Sequence, residues 1–165
     1  MVKGSAVGSA WKMLLGFGVA VVIAAILFPI FAQAKMGSGD RGRCLNRVRT
    51  VIRDLKLYAD DNDDALPAAS EWMDKIVNLD PFIDPNLHDR STLPAADYGY
   101  AYRDKASGIT ESSIATPKIF ALVFDSTMLQ RNAHSEPTTL PKPGRHYGRN
   151  TIGFLDGHTK GLPMP

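Results

Sequence analysis

The sequence contains little cysteine and little excess charge of either sign. Its 165 residues include one cysteine, Cys44, which excludes an internal disulfide framework. The formal net charge is +2 at pH 7, and the basic residues are spread among acidic ones along the chain. This charge pattern argues against a nucleic-acid partner. No nucleophile–base constellation is recognisable, so we predict that the protein is not an enzyme.

A long apolar run, in contrast, is present near the N-terminus. Met13 to Ala34 is uncharged and long enough, as a helix, to cross the roughly 30 Å hydrocarbon layer of a bilayer. Lys3 and Lys12 precede the run, and the positive-inside rule then places the N-terminus in the cytoplasm. We therefore predict a cytoplasmic segment 1–12, a transmembrane helix 13–34 and an extracytoplasmic remainder. The bilayer would be one partner, and the location would be the bacterial inner membrane with a single pass.

The same run has a second interpretation as a secretory signal. Ala32-Gln33-Ala34 has the small-x-small form of a signal-peptidase site, and Pro29 lies where helix-breaking residues precede such sites. Cleavage after Ala34 would release a secreted protein. The run is longer than the usual signal core, which favours retention in the membrane.

The remainder of the chain predicts a glycine-rich hinge at 35–43 and a head domain at 44–165. Gly37, Gly39 and Gly42 lower helix propensity in the hinge. Apolar residues then recur at three- and four-residue steps, which predicts an amphipathic helix packed on a sheet. This stripe comprises Leu45, Val48, Ile52, Leu55 and Ala59.

The C-terminal two thirds predict a short helix followed by strands. The short helix starts at Ser70 and buries Trp72, Ile76 and Leu79. Strand-like alternation or apolar β-rich composition marks Tyr98–Tyr102, Ile119–Phe124 and Thr151–Leu155. Asp156-Gly157 follows the last of them and predicts a closing hairpin with a two-residue turn. The predicted fold class is α+β: an N-terminal transmembrane helix, an amphipathic helix and a small antiparallel sheet.

An acidic run after the amphipathic helix offers a candidate calcium site. Asp60, Asn62 and Asp64 occupy alternate positions, and Glu71 falls at the twelfth position of an EF-hand-like loop. Ala65 stands where such loops have glycine, which would strain the backbone. The alternative interpretation is a solvated acidic turn that binds no ion.

Four segments occur in order along the sequence: Ile26–Lys35, Cys44–Asn46, Leu57–Asp63 and a final set made of Arg145, His146, Asp156, Gly157 and His158. Together they resemble segments of bacterial type IV prepilin-like or type II secretion pseudopilin-like proteins. The C-terminal pattern, a histidine, nine residues and then Asp-Gly, resembles the domain that closes one branch of that family. In register with Pro29, Lys12 stands where the family's processing motif has glutamate, so this motif is degenerate here.

The resemblance implies a membrane-anchored structural or interaction protein with a pilin-like head. Its partners would be other pilin-like subunits or a secretion or pilus assembly platform. The alternative is a secreted or anchored binding domain for a metal ion or small ligand, built on His146, Asp156 and His158. A structural role for these residues is the competing interpretation, because Asp156 favours a turn and His146 is able to hydrogen-bond the hairpin backbone.

Overall fold

A computed structural model describes residues 12, 16–19, 21, 23, 42–79, 87–89, 93–94 and 96–165 of the chain. The chain divides into two compact units, Met1–Gly39 and Asp40–Pro165. The predicted hinge at 35–43 lies outside the described residues except for Gly42 and Arg43, which are helical. The features below belong to the second unit unless the first is named.

The predicted transmembrane helix needs correction. Lys12, residues 16–19, Val21 and Ile23 are helical, and the rest of Met13–Ala34 lies outside the described residues. Crossing a bilayer takes about 20 consecutive apolar helical residues. Within the described ranges, no helix has the length and apolar character that this requires. This finding overturns the predicted membrane-spanning anchor and the predicted single-pass inner-membrane location.

The amphipathic helix is present and forms one side of the core. Helix α1 is helical over 42–60, and its apolar stripe is fully buried at Val48, Ile52, Leu55 and Ala59. Leu45, which was predicted to belong to the stripe, is only partly buried. Removing each large apolar side chain of this stripe from water contributes about 1.5–3 kcal/mol. The stripe therefore fixes which face of α1 is turned inward.

A second helix packs into the same core. Helix α2, Trp72–Leu79, buries Trp72 and Ile76 as predicted, whereas Leu79 is exposed at the helix end. The Trp72 ring stacks on Tyr102 with the ring centroids 5.7 Å apart, and its indole Nε1 donates a hydrogen bond to the Ala133 carbonyl at 3.0 Å. The helix is thus held both by apolar packing and by a buried polar contact.

Five strands form one sheet in the order β3-β1-β2-β4-β5. Two 3₁₀ turns, Asp104–Ala106 and Glu111–Ser113, lie between the first two strands in sequence. The strands are β1 Tyr100–Arg103, β2 Ala121–Asp125, β3 His134–Ser135, β4 Arg149–Phe154 and β5 Thr159–Pro163.

The sheet is mixed, so the prediction of an antiparallel sheet was wrong. Strand β3 pairs parallel with β1, with Tyr102 opposite His134, while the other neighbours are antiparallel. Strand β3 has only two residues, too few for a period-two pattern to be visible in the sequence. Its position is set by tertiary contacts, because the Tyr102 amide donates to the Ala133 carbonyl at 3.0 Å.

Both faces of the sheet are covered. One face, with Tyr100, Tyr102 and Val123, packs in one cluster with α1 and α2. The opposite face, with Ala101, Phe124 and Ile152, packs against Met128, Leu140 and Leu162. Strand β4 approaches α1 closely at Gly153, where an added Cβ would lie 2.1 Å from Ile52 Cδ1. The absence of a side chain at this position sets the distance between helix and sheet.

The closing hairpin is confirmed, but its turn differs from the predicted one. Strands β4 and β5 pair antiparallel with Gly153 opposite Thr159. The Gly157 amide donates to the Phe154 carbonyl at 2.9 Å, and Gly157 has a φ of 93°. Asp156 is not among the residues with positive φ, so a turn with both central residues left-handed is excluded. Only Gly157 needs the freedom that glycine provides.

We expect Gly157→Val to lower the free energy of unfolding by about 1–2 kcal/mol. An added Cβ would meet no atom within 4 Å, so the loss would come from backbone strain at φ 93° alone. Thermal unfolding of the full chain measures the effect. Gly157→Asn is the matched control and should lose less, because asparagine tolerates positive φ better than a β-branched residue. Equal losses for the two variants would contradict a strain mechanism.

Candidate functional site

A group of five polar residues, Cys44, Asp89, Asp125, Arg145 and His146, lies buried between α1, the end of β2 and two loops. We refer to it as the buried polar cluster. His146 is at its centre: its Nδ1 lies 3.4 Å from Cys44 Sγ, and its Nε2 lies 3.0 Å from Asp125 Oδ2. Asp89 Oδ2 is 3.5 Å from the same Nε2. Both ring nitrogens of His146 therefore face protein groups.

Local structure brings each of these groups to the cluster. Cys44 lies one helical turn before Val48, so the apolar stripe of α1 carries its thiol inward. Asp125 is the last residue of β2, and its Oδ2 accepts a hydrogen bond from the Thr151 amide at 2.5 Å. Asp89 is fixed by its own amide, which donates to the Tyr98 carbonyl at 2.9 Å.

His146 is positioned by a tight turn that requires glycine. The His146 amide donates to the Arg149 carbonyl at 2.7 Å, and the Gly148 amide donates to the Gly144 carbonyl at 3.0 Å. A Cβ at Gly144 would lie 2.4 Å from the Arg149 nitrogen. The turn is therefore closed by backbone contact, and it points the imidazole into the protein.

Arg145 closes the cluster from the other side. Its guanidinium donates to the Gly99 carbonyl at 2.6 Å and to the Ser126 carbonyl at 2.5 Å, and it lies 3.4 Å from Asp89 Oδ2. A Cβ at Gly99 would lie 2.8 Å from Arg145 Nη1, and Gly99 has a φ of 79°. Glycine at this position thus serves both the backbone conformation and the approach of the guanidinium.

The charges of the buried polar cluster balance when His146 is protonated. Burial by itself disfavours the charged imidazole, but the contacts with Asp125, Cys44 and Asp89 outweigh it and raise the pKa of His146 to about 10. Burial raises the pKa of Asp125, and the hydrogen bond and charge of His146 oppose this increase. Two cations, Arg145 and His146, then face two carboxylates, so little uncompensated charge is buried.

The predicted C-terminal motif does not come together as one site. His158 pairs with Asp156 at the hairpin tip, with 2.5 Å between Nδ1 and Oδ1, and its ring stacks on Phe154. In the described part of the chain, no hydrogen bond or ion pair joins this exposed pair to His146. A ligand site that uses His146, Asp156 and His158 together is therefore not supported by the geometry.

Three of the four candidate calcium residues, Asn62, Asp64 and Glu71, make other contacts. The Asn62 side chain donates to the Tyr58 carbonyl at 2.7 Å, and Asp64 Oδ2 accepts from the Ser112 amide at 3.0 Å. Hydrogen bonds from Ser112 lower the pKa of Asp64. Glu71 lies 3.4 Å from Lys75 in an ion pair on one helix face. Asp60 is exposed at the end of α1, and calcium binding at this loop stays a prediction.

A groove lies on the exposed side of α1, beside the hairpin tip. Its volume is about 330 Å³. We refer to it as the α1 groove, and three basic residues on one face of the helix give it a cationic character. Its lining residues are Arg49, Arg53, Lys56, Leu57, Asp60 and Gly157.

Comparisons with known proteins give no relative from which to transfer a function. Searches against protein-family models, curated proteins and solved structures find no match to this chain. The function of this chain is therefore inferred from its residues and their geometry.

Four of the five members of the buried polar cluster were not predicted as site residues from the sequence: Cys44, Asp89, Asp125 and Arg145. Cys44 and His146 are 102 residues apart, and no local pattern links them. Asp89 lies in a stretch rich in acidic residues and proline, a composition typical of surface loops, although it is fully buried. Asp125 directly follows the apolar run Ile119–Phe124, and an acid at the end of a buried strand is the signal that could have identified it.

Proposed function

We propose that this chain is a structural or interaction protein of the pilin-like or pseudopilin-like type, whose α+β head binds another protein through the α1 groove. The observation that carries the proposal is the contrast between the two faces of α1. The inner face is fully buried in the core, whereas the outer face presents basic side chains around Leu57, which is 50% exposed. An apolar side chain surrounded by polar ones matches, on a small scale, the apolar centre and polar rim of a protein–protein interface.

The charges of the α1 groove favour an acidic partner segment. Arg53 is paired with Asp54 at 2.7 Å, and Lys56 is paired with Glu111, so part of their charge is already compensated. Arg49 instead donates hydrogen bonds to the neutral oxygens of Asn46 at 3.2 Å and Thr159 at 3.4 Å. A carboxylate from a partner would replace these weak contacts with a charge-assisted hydrogen bond.

The buried polar cluster supports a structural role over turnover of a substrate. Its central groups are Asp89 and Asp125, which are fully buried, and His146, which is 5% exposed. Substrate would have no access without an opening of the core. The cluster instead joins the start of α1 to the loop before β4, which stiffens the surface that α1 presents. By the resemblance, the partners are other pilin-like subunits or a secretion or pilus assembly platform.

Site-specific photo-crosslinking in cells that make the full chain tests this proposal. A photoreactive residue at Leu57 should give a stoichiometric crosslink to one protein, which mass spectrometry identifies. The same residue at Ile119, which is 73% exposed outside the groove, is the position control. Arg49→Glu should reduce the Leu57 crosslink at least tenfold, because it repels an acidic segment. Lys105→Glu is the matched charge control and should leave the yield unchanged.

Two results would overturn the proposal. One is the absence of any defined crosslink from Leu57. The other is an equal yield in the Arg49→Glu and Lys105→Glu variants, which would show that the groove's charge does not select the partner.

A further inference from the structure

Three metal-ligating side chains of different chemistry converge inside the buried polar cluster. Ligand atoms of Cys44, Asp89 and His146 all lie within 4.8 Å of one another, and all three residues are buried. Within the described ranges, no other group of three His, Cys, Asp or Glu residues has this proximity. The three residues come from α1, from the 87–89 segment and from the turn before β4, so only the folded chain assembles them.

The spacing of sulfur and nitrogen matches what a zinc ion requires. With a Zn–S bond of about 2.3 Å and a Zn–N bond of about 2.05 Å, tetrahedral coordination separates the two ligand atoms by about 3.5 Å. Cys44 Sγ and His146 Nδ1 are 3.4 Å apart. We infer that Cys44, Asp89 and His146 form a binding site for a divalent transition-metal ion, with Zn²⁺ as the expected occupant.

The surroundings of the three ligands fit this inference. Metal-ligating histidines almost always use their second ring nitrogen to contact a carboxylate or carbonyl, which orients the ring. Here Asp125 Oδ2 lies 3.0 Å from His146 Nε2, on the opposite side of the ring from Cys44. Asp89 Oδ2 lies 3.5 Å from the same nitrogen, so the Asp89 carboxylate would have to turn toward Nδ1 to bind the same ion as Cys44. Arg145, 3.4 Å from Asp89 Oδ2, would orient the third ligand in the same way.

The ligand set and the charge select the class of metal. Thiolate and imidazole favour zinc and related transition metals, whereas calcium and magnesium take oxygen ligands. Binding requires the thiol of Cys44 and the imidazolium of His146 each to release a proton to solvent. Two protons leave and one divalent ion enters, so the net charge of the buried polar cluster does not change.

A metal at this position would join parts of the chain that are far apart in sequence. The bond from Cys44 to His146 through the ion would span 102 residues, linking α1 to the turn before β4. A chain with one cysteine has no disulfide to make such a link. Because an ion held this way binds only the folded state, it should raise the unfolding temperature, and the increase should grow with the logarithm of the free ion concentration once that concentration exceeds the dissociation constant.

Metal binding by the full-length protein tests the inference. The protein is stripped with a chelator, and Zn²⁺ or Co²⁺ is added back. We expect one ion per chain by elemental analysis after gel filtration, and a thiolate-to-cobalt charge-transfer band in the Co²⁺ form. Cys44→Ser should remove the band and weaken Zn²⁺ binding at least tenfold. His158→Gln is the matched control, because His158 is exposed at the hairpin tip, where it contacts Asp156 and Phe154.

Several outcomes would overturn the inference. They are the absence of a cobalt–thiolate band in the unaltered chain, unchanged zinc affinity in Cys44→Ser, or a loss of binding in His158→Gln that equals the loss in Cys44→Ser. Circular dichroism checks that each variant folds. If Cys44→Ser does not fold, the cobalt–thiolate band of the unaltered chain is the deciding measurement. Cys44 is the only thiol in the sequence, so this band reports on Cys44 directly. A negative result would leave the proposed protein–protein function untouched, since that function depends on the α1 groove.

Discussion

Gly153→Ala is expected to lower the free energy of unfolding by about 3 kcal/mol, at the upper end of the range for overpacked cores. The added Cβ would lie 2.1 Å from Ile52 Cδ1 and 2.6 Å from Val48 Cγ1. Both side chains are fully buried and packed against their neighbours, so neither can move aside without opening the core. Chemical denaturation of the full chain measures the loss.

A second substitution tests whether the contact with Ile52 is the cause. Ile52→Val removes Cδ1, so the double variant Gly153→Ala/Ile52→Val should be more stable than the sum of the two single changes predicts. Gly42→Ala is the matched control, because a Cβ at Gly42 meets no atom within 4 Å and alanine favours the helix. Additive losses in the double variant would contradict the proposed steric conflict.

The second large effect is a loss of stability as the pH rises from 6.5 toward 10 in chelator-treated protein. The contacts of His146 raise its pKa in the folded state to about 10, against 6.5 for an unperturbed histidine. Protonated His146 therefore stabilises the folded state. This stabilisation is complete below pH 6.5 and is lost as the pH rises through about 10. We expect a decrease of a few kcal/mol across this range, measured by denaturant unfolding at each pH.

The groups around His146 define the control for this experiment. Asp125 and Asp89 face its Nε2, and Cys44 faces its Nδ1. Tyr100 is buried beside them, and burial together with the two carboxylates raises its pKa well above the usual 10, so its ionisation lies outside this window. His146→Gln should remove most of the pH dependence of the free energy of unfolding. His134 is an exposed histidine paired with Asp104, so His134→Gln should retain this pH dependence. The same slope in both variants would contradict the assignment to His146.

Local patterns in the sequence determined the elements whose stability depends on near neighbours in the chain. The three- and four-residue spacing of Val48, Ile52 and Leu55 identified α1 and its buried face, because that spacing follows from helix geometry. The Asp156-Gly157 pair identified the closing hairpin, because glycine accepts the positive φ that the turn requires. The residues that determine each of these elements lie within about ten positions of one another, so a local sequence pattern is able to identify them.

Apolar composition alone was misleading at the N-terminus. The run Met13–Ala34 has the length and the uncharged character of a transmembrane helix, yet the described residues include no helix that meets the requirement. Apolar composition was also misleading at Leu79. This residue continues the apolar pattern of α2, but it is 45% exposed. Hydrophobicity describes how strongly a side chain favours burial over contact with water. The packing of neighbouring elements decides whether that side chain is in fact buried.

Only the tertiary structure decided the candidate sites. Cys44, Asp89 and His146 come from separate parts of the chain. Cys44 and Asp89 look ordinary in their own segments, and His146, which the sequence grouped with Asp156 and His158, contacts Cys44 and Asp89 instead. The two-residue strand β3 is likewise created by its partner β1, which makes the sheet mixed. The sequence by itself determined helices α1 and α2 and the closing hairpin, because those depend on backbone preferences and short-range spacing. The buried polar cluster and the strand order depend on long-range contacts, whose geometry is fixed only when the core is packed.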